Sequence, residues 1–293
     1  YAVWKFIPDL RGSERTRFDG LGFLLFGAAM ILITIAMEGL GELHLPHLRV
    51  MLLLFGGMAC LAAYWLRAGH IENPLFAPSL FKTRTFAVGI LGNLFARLGS
   101  GALPFLVPLL LQVALGYSPS QAGMSMLPLA AAAMFAKWMA RPLIERLGYR
   151  IVLTGNTLAL GIMLASMGLV SEQTPYWLLL CLLAVLGAIN SLQFTAMNTV
   201  TLIDLDDASA SSGNSLLSVV AQLSLSLGVA CAGALLGGFT AEIGNDGVET
   251  VLGAFQLTFV TVGIMAMLAA TIFSQLSKED GRRAKRPEEH IEH

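Results

Sequence analysis

Eight apolar runs of about 20 residues each account for most of the chain, and that length is what an α-helix needs to cross the hydrocarbon core of a membrane. Charged residues make up 13% of the sequence, about half the share usual in a soluble domain, and they lie in short clusters between the runs. The sequence therefore predicts an all-α integral membrane protein. In chain order, the predicted spans lie near Phe18–Met37, Leu48–Leu66, Phe86–Gln112, Gln121–Ala140, Ile151–Val170, Tyr176–Thr201, Ser211–Phe239 and Leu252–Leu276.

The lysines and arginines are distributed unevenly over the loops. Fifteen of the 18 fall on one side of the membrane if eight helices alternate: four before the first span, three between the second and third, three between the fourth and fifth, and five in the tail. Cytoplasmic loops are enriched in Lys and Arg, so both ends of the chain are predicted to be cytoplasmic. The net charge of −1, spread in this way, gives no indication of nucleic-acid binding.

The third span, Phe86–Gln112, carries one full charge, Arg97, near its middle. At the helical rise, Arg97 lies ~18 Å into the helix, close to the centre of the bilayer. A lipid-facing Arg costs several kcal/mol there, so Arg97 is predicted to face protein or water. Two interpretations remain open. In the first, Arg97 is a binding or gating cation in a polar cavity, and Asn93, one turn earlier, shares that cavity. In the second, Arg97 is a structural residue that binds backbone carbonyls freed by the glycines and proline that follow.

Two glycines and two prolines follow Arg97 within the same span. Proline removes a backbone donor from the helical ladder, and such sites commonly kink a helix. A kink beside a cavity suits a gate, and a static kink is equally consistent with the sequence. The hinge candidates are Gly99, Gly101, Pro104 and Pro108.

Polar side chains follow one side of the sixth span. At about 100° per residue, its amides fall within an arc of about 140° together with Phe194 and Met197. Amides inside a membrane need partners or water. In the seventh span a stripe of serines is typical of helix–helix packing, whereas Gln222 is predicted to face the cavity. Besides Arg97, the cavity candidates are Asn93, Asn190, Gln193, Asn198 and Gln222.

Other chemistry finds little support in the sequence. No two carboxylates lie together within a span, and His44 and His47 lie in an outer turn with no third metal ligand close by. No phosphate-binding loop or nucleophile motif is present. We therefore predict no enzymatic activity, no metal and no cofactor. The three cysteines fall within apolar runs and are typical of small core residues.

Segment 73–85, NPLFAPSLFKTRT, is too short and too basic to cross a membrane. We predict that it lies along the inner membrane surface with Leu75, Phe76, Leu80 and Phe81 dipped into lipid. The alternative interpretation is a plain loop.

Several segments resemble the fourteen-span drug:proton antiporters of the major facilitator superfamily. QVALGYSPSQAGMSMLP is similar to an outer turn of that family, and NPLFAPSLFKTRTF is similar to the segment ahead of it. FARLGSGALPF, NSLQFTAMNTVTL and ASSGNSLLS have near-identical counterparts in a multidrug-transporter group of the family. RPLIERLGYR is similar to a short basic loop of the second half, which implies a cytoplasmic gate loop containing Arg141, Arg146, Gly148 and Arg150.

The resemblance covers nearly the whole chain and implies that its spans are the last eight of fourteen. The chain begins at Tyr1 without a Met, and we expect a first half of the transporter to precede it. The implied organisation is a cytoplasmic linker at 1–17, two linker helices at 18–67, an amphipathic cytoplasmic segment at 68–85, a six-helix C-terminal half of a major facilitator fold at 86–276, and a cytoplasmic tail at 277–293.

The resemblance also implies a function. The chain is expected to be part of a proton-coupled secondary transporter that exports drug-like or amphipathic small molecules across the bacterial inner membrane by alternating access. Its implied partners are the lipid bilayer, the substrate, protons and the N-terminal half, which carries the family's proton-coupling motifs. The alternative is a non-transporting helical module that assembles with or regulates another membrane protein.

Overall fold

The computed structural model describes residues 19–41, 46–71, 74–243, 248–277 and 280, and within these ranges the regular secondary structure is helical. The predicted linker at 1–17 and nearly all of the predicted tail lie outside the described residues. A 3-10 helix spans Pro78–Lys82, and a π-helical turn spans Leu110–Ala114. The α-helices are α1 (Gly20–Gly41), α2 (His47–Ala68), α3 (Arg84–Gly101), α4 (Leu103–Leu109), α5 (Pro119–Ser125), α6 (Leu127–Leu147), α7 (Tyr149–Met167), α8 (Tyr176–Leu202), α9 (Asp207–Ile243) and α10 (Val248–Phe273).

Helix length and composition confirm most of the predicted spans. Seven described segments are long and apolar enough to cross a membrane, and one of them, Arg84–Ala114, joins α3, α4 and the π-helical turn into 31 residues. The predicted fourth span is instead divided between α5 and α6. α6 is not among the seven, and its C-terminal half is rich in charge, carrying Lys137, Arg141, Glu145 and Arg146.

The outer surface of the bundle is apolar. Phe55 of α2 is 76% exposed, and Leu268 of α10 is 64% exposed. Soluble proteins rarely leave many large apolar side chains in water. On helices of membrane-spanning length, these side chains are solvated by lipid tails instead, as expected for a multi-pass membrane protein.

Helix α3 lies inside the bundle, packed against α8, α9 and α10. α9 approaches α3 closely at Gly228, where an added Cβ would lie 2.9 Å from the carbonyl oxygen of Leu98 and 3.0 Å from that of Arg97. Small residues of this kind let membrane helices approach backbone to backbone. The contact between α9 and α3 therefore occurs at the depth of Arg97.

Helices α6 and α8 form another close pair. An added Cβ at Gly187 of α8 would lie 2.2 Å from the carbonyl oxygen of Leu129 in α6. The hydroxyl of Ser191, one turn further along α8, donates to the carbonyl oxygen of Ala133 at 2.7 Å. Glycine at one turn and serine at the next thus set the spacing of the two helices.

The structure corrects the prediction for the segment before α3. Phe76 and Leu80 are only 4% and 3% exposed and pack in a core cluster with Phe26 and Tyr64. The Tyr64 hydroxyl donates to the Phe76 carbonyl oxygen at 3.1 Å and accepts from the Phe76 backbone N–H at 2.6 Å. These bonds satisfy the backbone of the segment inside the protein, so Phe76 and Leu80 face the core instead of lipid. Phe81 remains 38% exposed.

Side chains cap the starts of α1, α5 and α9, and at α1 the Gly22 N–H donates to Asp19 Oδ1 at 2.9 Å. Ser118 and Gln121 form a capping box: Gln121 N–H donates to Ser118 Oγ at 3.3 Å, and Ser118 N–H donates to Gln121 Oε1 at 3.0 Å. At the start of α9, Ser209 N–H donates to Asp206 Oδ1 at 3.1 Å. Hydrogen bonds from Ser209 lower the pKa of the Asp206 carboxyl group, so the capping residue is ionised at neutral pH.

The Gly187 contact gives a test of the helix packing. Gly187→Ala places a methyl group against the Leu129 carbonyl, so we expect the free energy of unfolding in detergent to fall by about 1–3 kcal/mol. The matched control is Gly155→Ala in α7, where an added Cβ meets nothing within 4 Å. This control is expected to be neutral or stabilising by up to ~1 kcal/mol. Equal effects of the two substitutions on the thermal midpoint would contradict the α6–α8 packing.

Candidate functional site

The charged side chain of Arg97 is almost completely enclosed. It is 6% exposed, although it carries a full charge in the middle of a segment long enough to span a membrane. Most of the surrounding positions on α3 are also buried, including Asn93 at 0% and Ala96 at 1%. A charge in such a place needs polar partners, and the structure provides them from two helices.

The first partner comes from α3 itself. Arg97 Nε donates to Asn93 Oδ1 at 2.9 Å, and Asn93 Nδ2 donates to the carbonyl oxygen of Gly89 at 3.1 Å. The two side chains lie one turn apart on the same helix face, as their spacing of four residues dictates. Asn93 thus orients the guanidinium group and is itself held by the backbone.

The other partners come from α8. Arg97 Nη2 donates to Asn198 Oδ1 at 3.4 Å, and Arg97 Cζ lies 4.0 Å from the centre of the Phe194 ring. A guanidinium over an aromatic face is attracted by the ring quadrupole without needing a counter-charge. Phe194 is 46% exposed, so the ring that covers the guanidinium group lies at the surface of the described bundle. The sequence placed Phe194 on the polar arc of this span, but its role as a partner of Arg97 was not predicted.

No carboxylate compensates Arg97 among the described residues. The ion pairs described in the structure, Arg67–Asp19 and Arg141–Glu145, lie at helix ends. Arg97 Nη1 has no hydrogen-bond partner in the described part of the chain, and it is not among the buried atoms that lack one. This nitrogen is therefore accessible and free to donate to a ligand or to another polypeptide segment.

The interpretation of Arg97 as a structural residue predicted hydrogen bonds to backbone carbonyls, but the structure shows other partners. In the described ranges its hydrogen bonds go to the amides of Asn93 and Asn198 and not to carbonyls near Gly99, Gly101 or Pro104. The site is therefore a cation held by two neutral amides and one aromatic ring.

Gln193 is turned away from this group. Its Nε2 donates to Thr157 Oγ1 at 2.8 Å, and its Oε1 accepts from Asn156 Nδ2 at 2.9 Å. Asn156 also donates to the carbonyl oxygen of Ile189. These bonds tie α7 to α8 and make Gln193 part of an internal polar link. Asn156 and Thr157 were not singled out from the sequence, although an amide within the fifth apolar span was a visible signal.

Two further cavity candidates do not contact Arg97. Asn190 of α8 is half-buried, and Gln222 of α9 is exposed on the bundle surface. Neither is among the described hydrogen-bond partners of Arg97. The structure thus groups Arg97 with Asn93 and Asn198 and leaves Asn190, Gln193 and Gln222 outside that group.

The hinge candidates lie where the helix is irregular. α3 ends at Gly101, Pro104 lies in the first turn of α4, and Pro108 lies inside it. The π-helical turn that follows contains a bond from Leu115 N–H to the Leu110 carbonyl oxygen. Gly99 and Gly101 pack tightly: an added Cβ would lie 2.6 Å from Ala266 Cβ and 3.2 Å from the Leu225 carbonyl oxygen, respectively. Close helix packing explains why glycine occupies both positions. Hinge motion at these residues remains a prediction.

The predicted gate loop joins α6 to α7 and is exposed. Gly148 has φ +81°, a left-handed conformation that favours glycine and turns the chain between the two helices. Arg141 Nε donates to Glu145 Oε1 at 3.1 Å, within the last turns of α6. Arg146 and Arg150 are exposed on either side of Gly148.

Comparison with known proteins places the chain among transporters. A family model described as Major Facilitator Superfamily matches residues 89–292, which include most of α3 and all of α4–α10. Multidrug resistance protein MdtD of Pectobacterium carotovorum subsp. carotovorum (strain PC1) is 39% identical over 287 residues, covering 98% of this chain and 61% of the relative. MdtD of Serratia proteamaculans (strain 568) is 41% identical over 270 residues, covering 92% of this chain and 56% of the relative.

The chain thus spans about three fifths of the length of these relatives. The family match covers well over half of the chain and coincides with the helices that surround Arg97. The chain therefore belongs to the major facilitator superfamily, whose members are membrane transporters and not enzymes.

Proposed function

We propose that the chain forms part of a proton-coupled antiporter that exports drug-like or amphipathic small molecules across the bacterial inner membrane. The observation that carries this proposal is the enclosed cation: Arg97 lies mid-span with an accessible Nη1 and no carboxylate partner among the described residues. Polar groups are costly inside a membrane and commonly mark a substrate or ion pathway. The similarity to proteins named for multidrug resistance supports the substrate class.

In this proposal the transporter works by alternating access. The six-helix half is formed by α3–α10, with α3 and α4 counted as one span and α5 and α6 as another. α1 and α2 are linker helices, and a second half comes from a further segment or chain. Rocking of the halves around a midplane site would expose that site to each side in turn. Both ends of the present chain lie in the cytoplasm, as the distribution of Lys and Arg favours.

Arg97 acts here as the fixed cation of the midplane site. Its partners leave the guanidinium charge uncompensated, since amides and a ring are neutral. The group is therefore suited to bind either a polar group of the substrate or a carboxylate that releases its proton when Arg97 approaches. Phe194 supplies an apolar wall beside the cation, which suits an amphipathic ligand.

The proposal predicts that export depends on the charge and shape of Arg97. In the full-length transporter, Arg97→Ala is expected to lower export at least tenfold at equal membrane abundance, equivalent to about 1.4 kcal/mol of lost interaction. Arg97→Lys should restore part of the activity, because a cation remains but the paired contacts to Asn93 and Asn198 do not. Export of a dye or drug from proteoliposomes is the measurement.

The matched control is Arg49→Ala, which removes an exposed cation at the start of α2. This variant should export like the parent protein. Full export by both Arg97→Ala and Arg97→Lys would contradict the role of Arg97. Absence of export in every form, with correct folding, would favour the non-transporting helical module.

A stability measurement separates a functional cation from a structural one. Arg97→Met keeps the length of the side chain and removes an uncompensated buried charge, so the thermal midpoint in detergent should stay the same or rise. Asn198→Ala is the comparison, since it leaves the cation in place with one partner fewer and should lower the midpoint. A large fall in the midpoint for Arg97→Met would mean that the cation is primarily structural.

A further inference from the structure

The first two helices, α1 and α2, form one closely packed pair. An added Cβ at Gly57 of α2 would lie 3.2 Å from the Ala29 carbonyl oxygen of α1, so the two backbones run close together. Where α1 begins and α2 ends, Arg67 Nη1 donates to Asp19 Oδ1 at 2.7 Å, and the Asp19 side chain is only 4% exposed. α1 also packs against α9. The pair is therefore in contact with the six-helix half.

The segment 74–83, which leads from α2 to α3, is held from two sides. The Tyr64 hydroxyl of α2 donates to the Phe76 carbonyl oxygen and accepts from the Phe76 N–H. From the other side, the Ser212 hydroxyl of α9 donates to the Leu75 carbonyl oxygen at 2.8 Å. Separation of α2 from α9 would leave these backbone groups without partners inside the protein, which is costly. The segment thus ties α2 to the start of α9.

One apolar cluster continues across the same junction. The ring of Phe26 in α1 lies 5.3 Å from that of Tyr64 and 4.8 Å from that of Phe76, measured between centroids. The cluster also contains buried residues of α3 and α9, namely Phe86, Ile90, Leu216 and Leu217. Because a packed core has few voids, its members cannot slide past one another without losing contacts. The helix pair and the six-helix half therefore share one core here.

The rest of the segment 74–83 is also bonded. Leu80 N–H donates to the Ala77 carbonyl oxygen at 3.0 Å, and Thr83 N–H donates to the Leu80 carbonyl oxygen at 3.2 Å. A hinge needs a few residues that absorb large changes of the backbone dihedral angles. Such changes would break these turns and expose the buried side chain of Leu80. The segment is therefore suited to act as a strut and not as a hinge.

We propose that α1 and α2 move as one rigid body with α3–α10 when the transporter changes conformation. This inference rests on the proposed alternating-access function and goes beyond it, because it assigns the two linker helices to one of the two halves. The segment 74–83 transmits the motion of the six-helix half to the helix pair. Displacement between the halves is then accommodated on the N-terminal side of Asp19, and not between α2 and α3.

Spin-label distances in the full-length transporter test the proposal. Labels are attached at Phe55→Cys of α2 and Leu268→Cys of α10, two exposed positions, in a form without other cysteines. Pulsed electron paramagnetic resonance is recorded in proteoliposomes at acidic and alkaline pH, with and without an exported dye. We expect the distance between positions 55 and 268 to stay the same, while the distance from position 268 to a label in the second half shifts.

A change in the distance between positions 55 and 268 that accompanies the shift of the second half would overturn the proposal. Such a result would mean that the helix pair travels with the second half or moves independently in the bilayer. If the second half did not move in any condition, alternating access itself would be contradicted. The rigid attachment of the helix pair is then decided by a second arm, which needs no second half.

The second arm uses the present chain in detergent with the same two labels. We expect a narrow distance distribution in the parent chain. Tyr64→Phe combined with Ser212→Ala should make it roughly twofold broader, because the three hydrogen bonds to the segment are lost. The matched control is Tyr117→Phe combined with Ser211→Ala. These two hydroxyls donate no hydrogen bond in the described part of the chain, so the width should not change.

A broad distribution in the parent chain would overturn the proposal, because the helix pair would then be loosely attached. Equal widths in the parent chain and in the variant without the three hydrogen bonds would overturn the role of the segment 74–83 as a strut. The thermal midpoint shows whether each variant is folded.

Discussion

The polar interior of the bundle is organised around one buried cation, Arg97. A guanidinium in the middle of a membrane-spanning helix is expensive, and its cost falls only if polar groups replace its water. The structure replaces that water with two amide oxygens and an aromatic face. These partners lower the cost of burial without neutralising the charge. The cation consequently keeps an attraction for an anionic or polar group that comes from elsewhere.

The helix packing holds this cation in place. α8 supplies Phe194 and Asn198 from positions one turn apart, so both reach Arg97 from the same helix face. On another side, Gly228 lets the backbone of α9 approach the carbonyl of Arg97. The link between Gln193, Asn156 and Thr157 fixes α8 against α7. A shift of α8 relative to α3 would therefore change the contacts of the cation.

The membrane spans were predictable because their physical cause is local. A run of about 20 apolar residues forms a helix in lipid whatever its neighbours are. The contact between Asn93 and Arg97 was equally local, since four residues bring two side chains together on one helix. Asn198 lies on another helix, so only its place on a polar arc was predictable, and its pairing with Arg97 depends on the tertiary packing.

Contacts set by distant segments could not be predicted from the sequence. Phe76 and Leu80 have the spacing of a lipid-facing segment, but the Tyr64 hydroxyl binds the backbone there and draws both side chains into the core. Gln193 shares the arc of Asn198 and turns to α7 because Asn156 and Thr157 offer bonds there. Helical periodicity predicts which face of its own helix a side chain lies on. It does not predict which neighbouring helix packs against that face.

The accessibility of position 97 tests this account most directly. In the full-length transporter, with Cys60, Cys181 and Cys231 replaced by serine, Arg97→Cys would be treated with a negatively charged, membrane-impermeant thiol reagent in membrane vesicles of defined orientation. The account predicts rapid labelling that an exported substrate slows, because the proposed substrate site includes this position and is open to water. Labelling no faster than that of a cysteine at Ile162, which is exposed on the outer face of α7 within a segment long enough to span a membrane, would contradict it and show that Arg97 is sealed within the bundle.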